Sequence, residues 1–200
     1  NRVFNISLTA IGERKYMKGK EHMIVGTTAT ATMGIGFLIT NTFDSAIYLV
    51  PLIIGGFIGS YMPDIDSHNS KARQAFNKIL TFSIIAIVLG YMLGVALSVS
   101  DVINFLERNI RNCFATVMFC ITTVLGKLSP HRMFTHKWLG TLMFCGSIYL
   151  TGNIYLALGF SMGYILHIVC DRFSPRGKNL KFFEFKLPCK NSKNKTTVAW

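Results

Sequence analysis

Acidic residues are scarce in this chain, and charge of either sign is rare. Of its 200 residues only 9 are Asp or Glu, the charged fraction is 15%, and 50% of the residues are hydrophobic. The mean hydropathy is positive, at +0.40. A composition so poor in charge excludes a soluble globular domain and indicates a polytopic membrane protein.

The cysteines provide neither a disulfide framework nor a metal-binding pair. The chain has 5 of them, an odd number without CxxC spacing, mostly in apolar segments: Cys113, Cys120, Cys145, Cys170 and Cys189. We therefore assign the cysteines to helix packing. This leaves histidines and carboxylates as the residues to consider for a metal site.

The length of the chain is sufficient for one helical bundle and leaves little for a second domain. The first 16 residues lack an apolar core long enough for a cleavable signal peptide, so we interpret 1–16 as an N-terminal extension. We expect residues 17–188 to form one membrane-embedded domain and 189–200 to form a basic C-terminal tail.

Uncharged stretches predict five to six membrane helices: Met23 to Phe43, Ser45 to Pro63, Ile79 to Ser100, Asn112 to Gly126, and Trp138 to Cys170. A crossing needs about 20 apolar residues, so the last stretch is too short for two complete crossings and too long for one. The Thr151-Gly152-Asn153 break favours a turn that divides it into helices near 137–151 and 154–171. We expect an all-α transmembrane bundle whose last three helices cross fully or only in part.

The basic residues lie almost entirely on one side of the predicted bundle. If the side that holds the N-terminal segment is called the near face, all Lys and Arg residues belong to near-face segments except Arg108 and Arg111. The positive-inside rule then predicts that the near face and both termini are cytoplasmic. Attraction to anionic headgroups explains the net charge of +12. No nucleic-acid-binding motif is present, and we expect no nucleic-acid partner.

Five short polar motifs lie at helix ends that this threading brings to the near face. They are His22, the Pro63-Asp64-Ile65-Asp66 turn, His131-Arg132, Thr135-His136, and His167 with Asp171. Carboxylates close to hydrocarbon are costly unless a cation or a metal pairs with them. Imidazoles together with carboxylates ligate divalent metals. We therefore predict a metal site at the cytoplasmic ends of the helices.

The carboxylates have distinct expected roles. His167 and Asp171 are four residues apart, so they project from one face of a helix and can hold the same cation. Asp64 is the preferred ligand of the Pro-Asp-Ile-Asp turn. Asp66 is either a second ligand or a carboxylate that orients a metal-bound histidine.

The segment 131–136 is expected to begin the helix near 137–151. We expect Thr135 to cap a helix that begins at His136, with His131 folding back from the loop. Arg132 supplies a planar, permanently charged donor for a phosphate or carboxylate, or else it binds lipid headgroups and sets topology. Seven potential ligands result, enough for one or two ions: His22, Asp64, Asp66, His131, His136, His167 and Asp171. This set suits zinc best, with manganese or iron as alternatives.

In this order the motifs resemble the YdjM-like family of LexA-regulated, inner-membrane metal-dependent hydrolases. The similarity covers most of the chain between His22 and Pro188. It rests on Glu21-His22, the Pro-Asp-Ile-Asp turn with Ser70, the His-Arg-x-x-Thr-His block at 131–136, Gly163-Tyr164 before His167 and Asp171, Ser174-Pro175-Arg176-Gly177, and Leu187-Pro188. Family members usually have Gly at the position of Glu21 and a small hydroxyl residue at that of Lys137. The pattern is also loosely similar to zinc-dependent phospholipases C and single-strand nucleases.

We expect a hydrolase of a phosphoester on a lipid or lipid-linked substrate, with membrane lipids as partners. A metal would activate water, Asp66 or a neighbouring carboxylate would accept a proton, and Arg132 would stabilise phosphoryl charge. The alternatives are a metal-ion transporter and a non-catalytic scaffold or regulatory protein. Transporter sites usually lie near the midplane of the bilayer. The middles of the predicted spans carry no charged residue, which favours the hydrolase.

Overall fold

The computed structural model describes residues 19–93, 98–130, 132–173 and 182–183. Within these ranges the chain forms seven α-helices and two short 3₁₀ helices, and it forms no strand. The α-helices are α1 (Gly19–Ile39), α2 (Leu49–Gly59), α3 (Lys71–Met92), α4 (Val99–Arg108), α5 (Ile110–Leu128), α6 (Trp138–Tyr149) and α7 (Ile154–Phe173). The 3₁₀ helices Ala46–Tyr48 and Met62–Asp66 lie directly before and shortly after α2. The prediction of an all-α bundle is confirmed.

Four helical segments are long and apolar enough to cross a bilayer: Lys20–Ile39, Ala46–Asp66, Lys71–Gly90 and Ile154–Phe173. Helix α6 is apolar but has only 12 residues. At a rise of about 1.5 Å per residue it covers roughly 18 Å, which is less than the hydrocarbon thickness. The break that separates α6 from α7 is present, with Gly152 at a φ of 81°.

The exposed surface of α3 and α5 is apolar, as a lipid-facing surface requires. Ile79, Phe82 and Ile87 of α3 are each about two-thirds exposed, at 66%, 69% and 72%. Phe114 and Val117 on α5 are also exposed. An apolar surface this extended would aggregate in water and is stable in a bilayer. The structure and the composition therefore agree on a membrane protein.

Two helices differ from the sequence expectation. Helix α3 begins at Lys71 rather than at Ile79, because its polar first two turns continue the helix beyond the uncharged stretch. Residues 101–111, which lie between two of the predicted membrane stretches, belong largely to α4. Apolar side chains occupy one face of α4 and polar side chains the other, so a search for uncharged runs cannot detect it.

Thr135 does not cap a helix that begins at His136, so this expectation is wrong. Helix α6 begins at Trp138, after Lys137 in an extended conformation with a φ of −113° and a ψ of 165°. The Thr135 hydroxyl instead donates a hydrogen bond to Asp66 Oδ2 at 2.9 Å. The hydroxyl forms a stronger hydrogen bond when it donates to a buried, charged carboxylate than when it accepts from a backbone N–H at the start of a helix.

Helices α2 and α7 pack backbone against backbone through glycines. A Cβ atom at Gly55 or Gly59 would collide with main-chain atoms of α7, and one at Gly163 with main-chain atoms of α2. A Cβ atom at Gly159 would likewise collide with the carbonyl of Leu52. Small residues allow such close helix contact in membranes, where apolar burial gives little driving force. Gly55 and Gly59 therefore serve in helix packing.

Helix α1 completes a three-helix core. Its buried residues His22, Gly26 and Thr30 follow at intervals of four and therefore share one face. Gly26 packs against Ser60, and Thr30 packs against Gly56. The start of α1 consequently lies at the same end of the core as the last turns of α2 and α7.

Candidate metal centre

Five of the predicted ligands converge at this end of the core. His22 comes from the start of α1, Asp64 from the 3₁₀ helix after α2, His136 from the segment before α6, and His167 and Asp171 from the end of α7. They form two triads, His22 with His167 and Asp171, and Asp64 with His136 and His167. Within each triad one donor atom per residue lies within 4.8 Å of the others.

Asp171 is the central carboxylate of the cluster. Its Oδ1 lies 3.3 Å from His22 Nε2, and its Oδ2 lies 3.3 Å from His136 Nε2. Oδ2 also lies 3.0 Å from Nη2 of Arg132. The four-residue spacing places Asp171 one turn beyond His167 on the same face of α7, so one helix contributes two neighbouring ligands.

The geometry determines which nitrogen of His167 carries its proton. Nδ1 lies 2.7 Å from the carbonyl oxygen of Ser60, and because a carbonyl only accepts, Nδ1 is the donor. In neutral His167, Nε2 then carries a lone pair, and it lies 3.5 Å from Oδ1 of Asp64. Among the described residues no hydrogen-bond donor reaches this buried Nε2. A proton or a metal cation between these two electron-rich atoms would stabilise their approach.

Asp66 occupies a different position from Asp64, although only one residue separates them. Asp66 is buried, and its Oδ2 accepts hydrogen bonds from the backbone N–H of Arg132 at 2.6 Å and from Thr135. The same oxygen lies 3.6 Å from Nδ1 of His136. Of the two roles left open for Asp66, this geometry favours the carboxylate that orients a histidine.

Arg132 has a left-handed backbone conformation, with a φ of 64°. Residues other than glycine seldom adopt this backbone conformation, and it is concentrated at functional sites. The hydrogen bond from its N–H to Asp66 holds the backbone there, while the guanidinium contacts Asp171. The side chain is 22% exposed, so the guanidinium lies between the buried cluster and the outside.

The electrostatics of the cluster favour a cation. Burial by itself lowers the pKa of His136, but hydrogen bonds with Asp171 and Asp66 outweigh burial and raise this pKa to about 9. The carboxylates therefore favour positive charge at the imidazole, which a second ring proton supplies while no metal is bound. A divalent metal would supply the same compensation, and three imidazoles with two carboxylates suit zinc, manganese or iron.

Some residues fall outside this arrangement. His131 lies outside the described residues, so its expected role as a ligand stays a prediction. His68 is exposed in the turn after the 3₁₀ helix, as expected for a solvated histidine. Lys137 is buried next to His136 in the sequence.

Two contacts of the site were not predicted from the sequence. The Ser60 carbonyl that fixes His167 belongs to the main chain, which leaves no signal in residue identity. Tyr164 donates from its hydroxyl to the Thr135 carbonyl at 2.6 Å. Its position three residues before His167 places it on the buried face of α7, and this periodicity is the available signal.

The fold and the site define a polytopic helical membrane protein with a buried histidine and aspartate cluster at one end of its core. The model of the YdjM inner membrane protein family matches residues 17–185, and the chain belongs to this family. No match was found among curated proteins or among solved structures. The predicted family membership is confirmed, and it supports a location in the inner membrane.

Proposed function

We propose that this protein is a metal-dependent hydrolase that acts at the cytoplasmic face of the inner membrane. Its substrate is a phosphoester on a lipid or a lipid-linked molecule. The observation that carries the proposal is the approach of His167 Nε2 to Asp64 Oδ1, with the tautomer of the histidine fixed by Ser60. Such an arrangement is typical of a ligand held ready for a cation.

The residues of the cluster have different proposed roles in the reaction. A divalent metal at the cluster supplies a nucleophile at neutral pH by lowering the pKa of water toward about 7. The five clustered residues would hold this metal: His22, Asp64, His136, His167 and Asp171. Of the site carboxylates, Asp64 has the most accessible side chain, at 25% exposed, whereas that of Asp66 is fully buried. We therefore assign the proton acceptor to the second carboxylate oxygen of Asp64, whose Oδ1 faces His167, rather than to Asp66.

A lipid substrate fits the location of the cluster. His22 lies at the start of α1, Asp64 at the end of the span Ala46–Asp66, and His167 and Asp171 in the last turns of α7. These ligands therefore lie at the ends of segments that are able to cross the membrane. A headgroup can reach such a site while its acyl chains stay in the bilayer. A transporter would instead place its ligands near the midplane.

Metal content tests this proposal directly. Elemental analysis of detergent-purified wild type should find at least one equivalent of zinc, manganese or iron, and the Asp64→Ala, His167→Ala double variant should have none. The matched control is Asp44→Ala with His68→Ala, which removes the same residue types at exposed positions and should keep the metal. Wild type that holds no metal after reconstitution with these ions would refute the proposal.

Turnover provides the second half of the test. Vesicles of phosphatidylglycerol and phosphatidylethanolamine serve as the probe, and release of phosphate or phosphorylated headgroup is measured. We expect release by the wild type, its loss on chelation, and its return with the metal found in the protein. Metal binding without release of either product would favour a scaffold or a transporter.

The expected role of Arg132 in phosphoryl binding is tested by the Arg132→Lys variant. This variant should keep the metal and lower kcat/KM by roughly 10-fold or more. Lysine retains the positive charge but lacks the planar fork of donors that matches a phosphoryl group. The measurement combines elemental analysis with kinetics on the same vesicles. Arg108→Lys on the exposed polar face of α4 is the control and should change neither quantity. An Arg132→Lys variant with wild-type kinetics would exclude Arg132 from phosphoryl binding.

A further inference from the structure

Thr135 lies between His136, a candidate ligand, and the buried carboxylate of Asp66. It belongs to neither of the two triads. Its side chain is fully buried. The hydroxyl oxygen lies 2.9 Å from Asp66 Oδ2 and 3.0 Å from His136 Nδ1. One hydroxyl thus connects the ring of His136 with Asp66.

The direction of both hydrogen bonds follows from the number of protons available. A threonine hydroxyl has one proton, and an ionised carboxylate only accepts. The proton of Thr135 therefore points to Asp66, and the oxygen has only lone pairs to offer His136. Nδ1 of His136 must then be the donor, which leaves Nε2, on the side of Asp171, to bind a cation.

We propose that Thr135 is a positioning residue, which relays a hydrogen bond from His136 Nδ1 to Asp66 and so commits His136 Nε2 to the metal. The inference rests on the proposed function, because it concerns a ligand of the same metal. For His167 the main-chain carbonyl of Ser60 has the corresponding role. Outer partners of this kind fix the tautomer and the orientation of ligating histidines.

The relay is held rigidly from both sides. The carbonyl of Thr135 accepts from the hydroxyl of buried Tyr164, and Asp66 also accepts from the backbone of Arg132. The methyl group of Thr135 packs near Gly126 of α5. Thr135 therefore has two separable features, a hydroxyl in the relay and a methyl in the packing.

Two substitutions separate these features. Thr135→Val keeps the shape of the side chain and removes the hydroxyl, while Thr135→Ser keeps the hydroxyl and removes the methyl. We expect Thr135→Val to weaken zinc binding by about 10-fold to 100-fold and Thr135→Ser to stay within about threefold of wild type. Affinity is measured by competition with a chelator on the detergent-purified protein.

A spectroscopic measurement reports ligand geometry independently of affinity. The visible spectrum of the cobalt-loaded Thr135→Ser variant should match that of the wild type, and the spectrum of Thr135→Val should differ, because its His136 ring is not held in one orientation. Equal losses of affinity in both variants, or a larger loss for serine, would assign Thr135 to packing and overturn the proposal. Wild-type affinity in Thr135→Val would also overturn it.

A further pair of variants covers the case in which Thr135→Val fails to fold. Thr135→Ala and Thr135→Ser both lack the methyl group and differ only in the hydroxyl, so the serine variant should bind zinc at least about 10-fold more tightly. Equal affinity in this pair would refute the relay. Absence of metal from the wild type would instead refute the proposed function, and the relay with it.

Discussion

Asp171→Asn should leave the protein with little bound metal and without measurable turnover. The substitution keeps the volume of the side chain and removes its charge. In the structure this carboxylate faces two imidazoles and one guanidinium, so it is the anion on which the cluster depends. Loss of an outer partner of a ligand typically weakens metal affinity about 10-fold to 100-fold, and we expect loss of this ligand to exceed 100-fold.

The measurement is zinc affinity by chelator competition, with hydrolysis of phospholipid vesicles on the same preparations. Asp101→Asn is the matched control, because Asp101 is exposed in the first turn of α4, a helix that contributes no residue to the cluster, and should have no effect. Wild-type affinity in Asp171→Asn would remove Asp171 from the ligand set. It would then be a counter-ion for Arg132 and the histidines.

The spans could be predicted from the sequence because uncharged runs of about 20 residues have few alternatives to a membrane helix. The same criterion fails where a helix is polar on one face or at one end. It therefore missed α4 and placed the start of α3 too late. Both errors concern residues whose helical structure does not depend on a continuous apolar segment.

The histidines and carboxylates of the site could be chosen from the sequence because few such residues exist in this chain and all lie at helix ends. The different roles of these residues could not be predicted from the sequence. Asp64 and Asp66 are chemically identical, and only the 3₁₀ conformation of Met62–Asp66 directs one to His167 and the other to Thr135. The role of Thr135 depends on contacts with residues far away in the sequence, which helix-capping rules do not consider.

The glycine contacts likewise depend on residues far apart in the sequence, which limits what the sequence can predict. Small residues such as Gly55 and Gly59 are typical of a close helix contact, but the sequence does not specify which helix is the neighbour. The structure shows that Gly159 and Gly163, spaced in the same way on α7, complete the contact. The α2 and α7 backbones thus determine the distance between Ser60 and His167, and with it the hydrogen bond that orients His167.

Gly159→Ala should therefore destabilise the protein and weaken metal binding together. A methyl group at this position collides with the main-chain carbonyl of Leu52, and a backbone cannot move aside as a flexible side chain can. Overpacking costs about 1–3 kcal/mol, and we expect the upper end of this range because the obstacle is rigid. The measurements are thermal unfolding in detergent and zinc affinity by chelator competition.

Gly146→Ala is the matched control, since a methyl group there meets no atom within 4 Å. Alanine is the better helix former by about 1 kcal/mol, so this variant should be as stable as wild type or slightly more stable, with unchanged zinc affinity. The same substitution in two helices should thus have opposite effects on stability. If Gly159→Ala lowered the unfolding temperature but left zinc affinity intact, the α2–α7 contact would stabilise the fold without positioning His167.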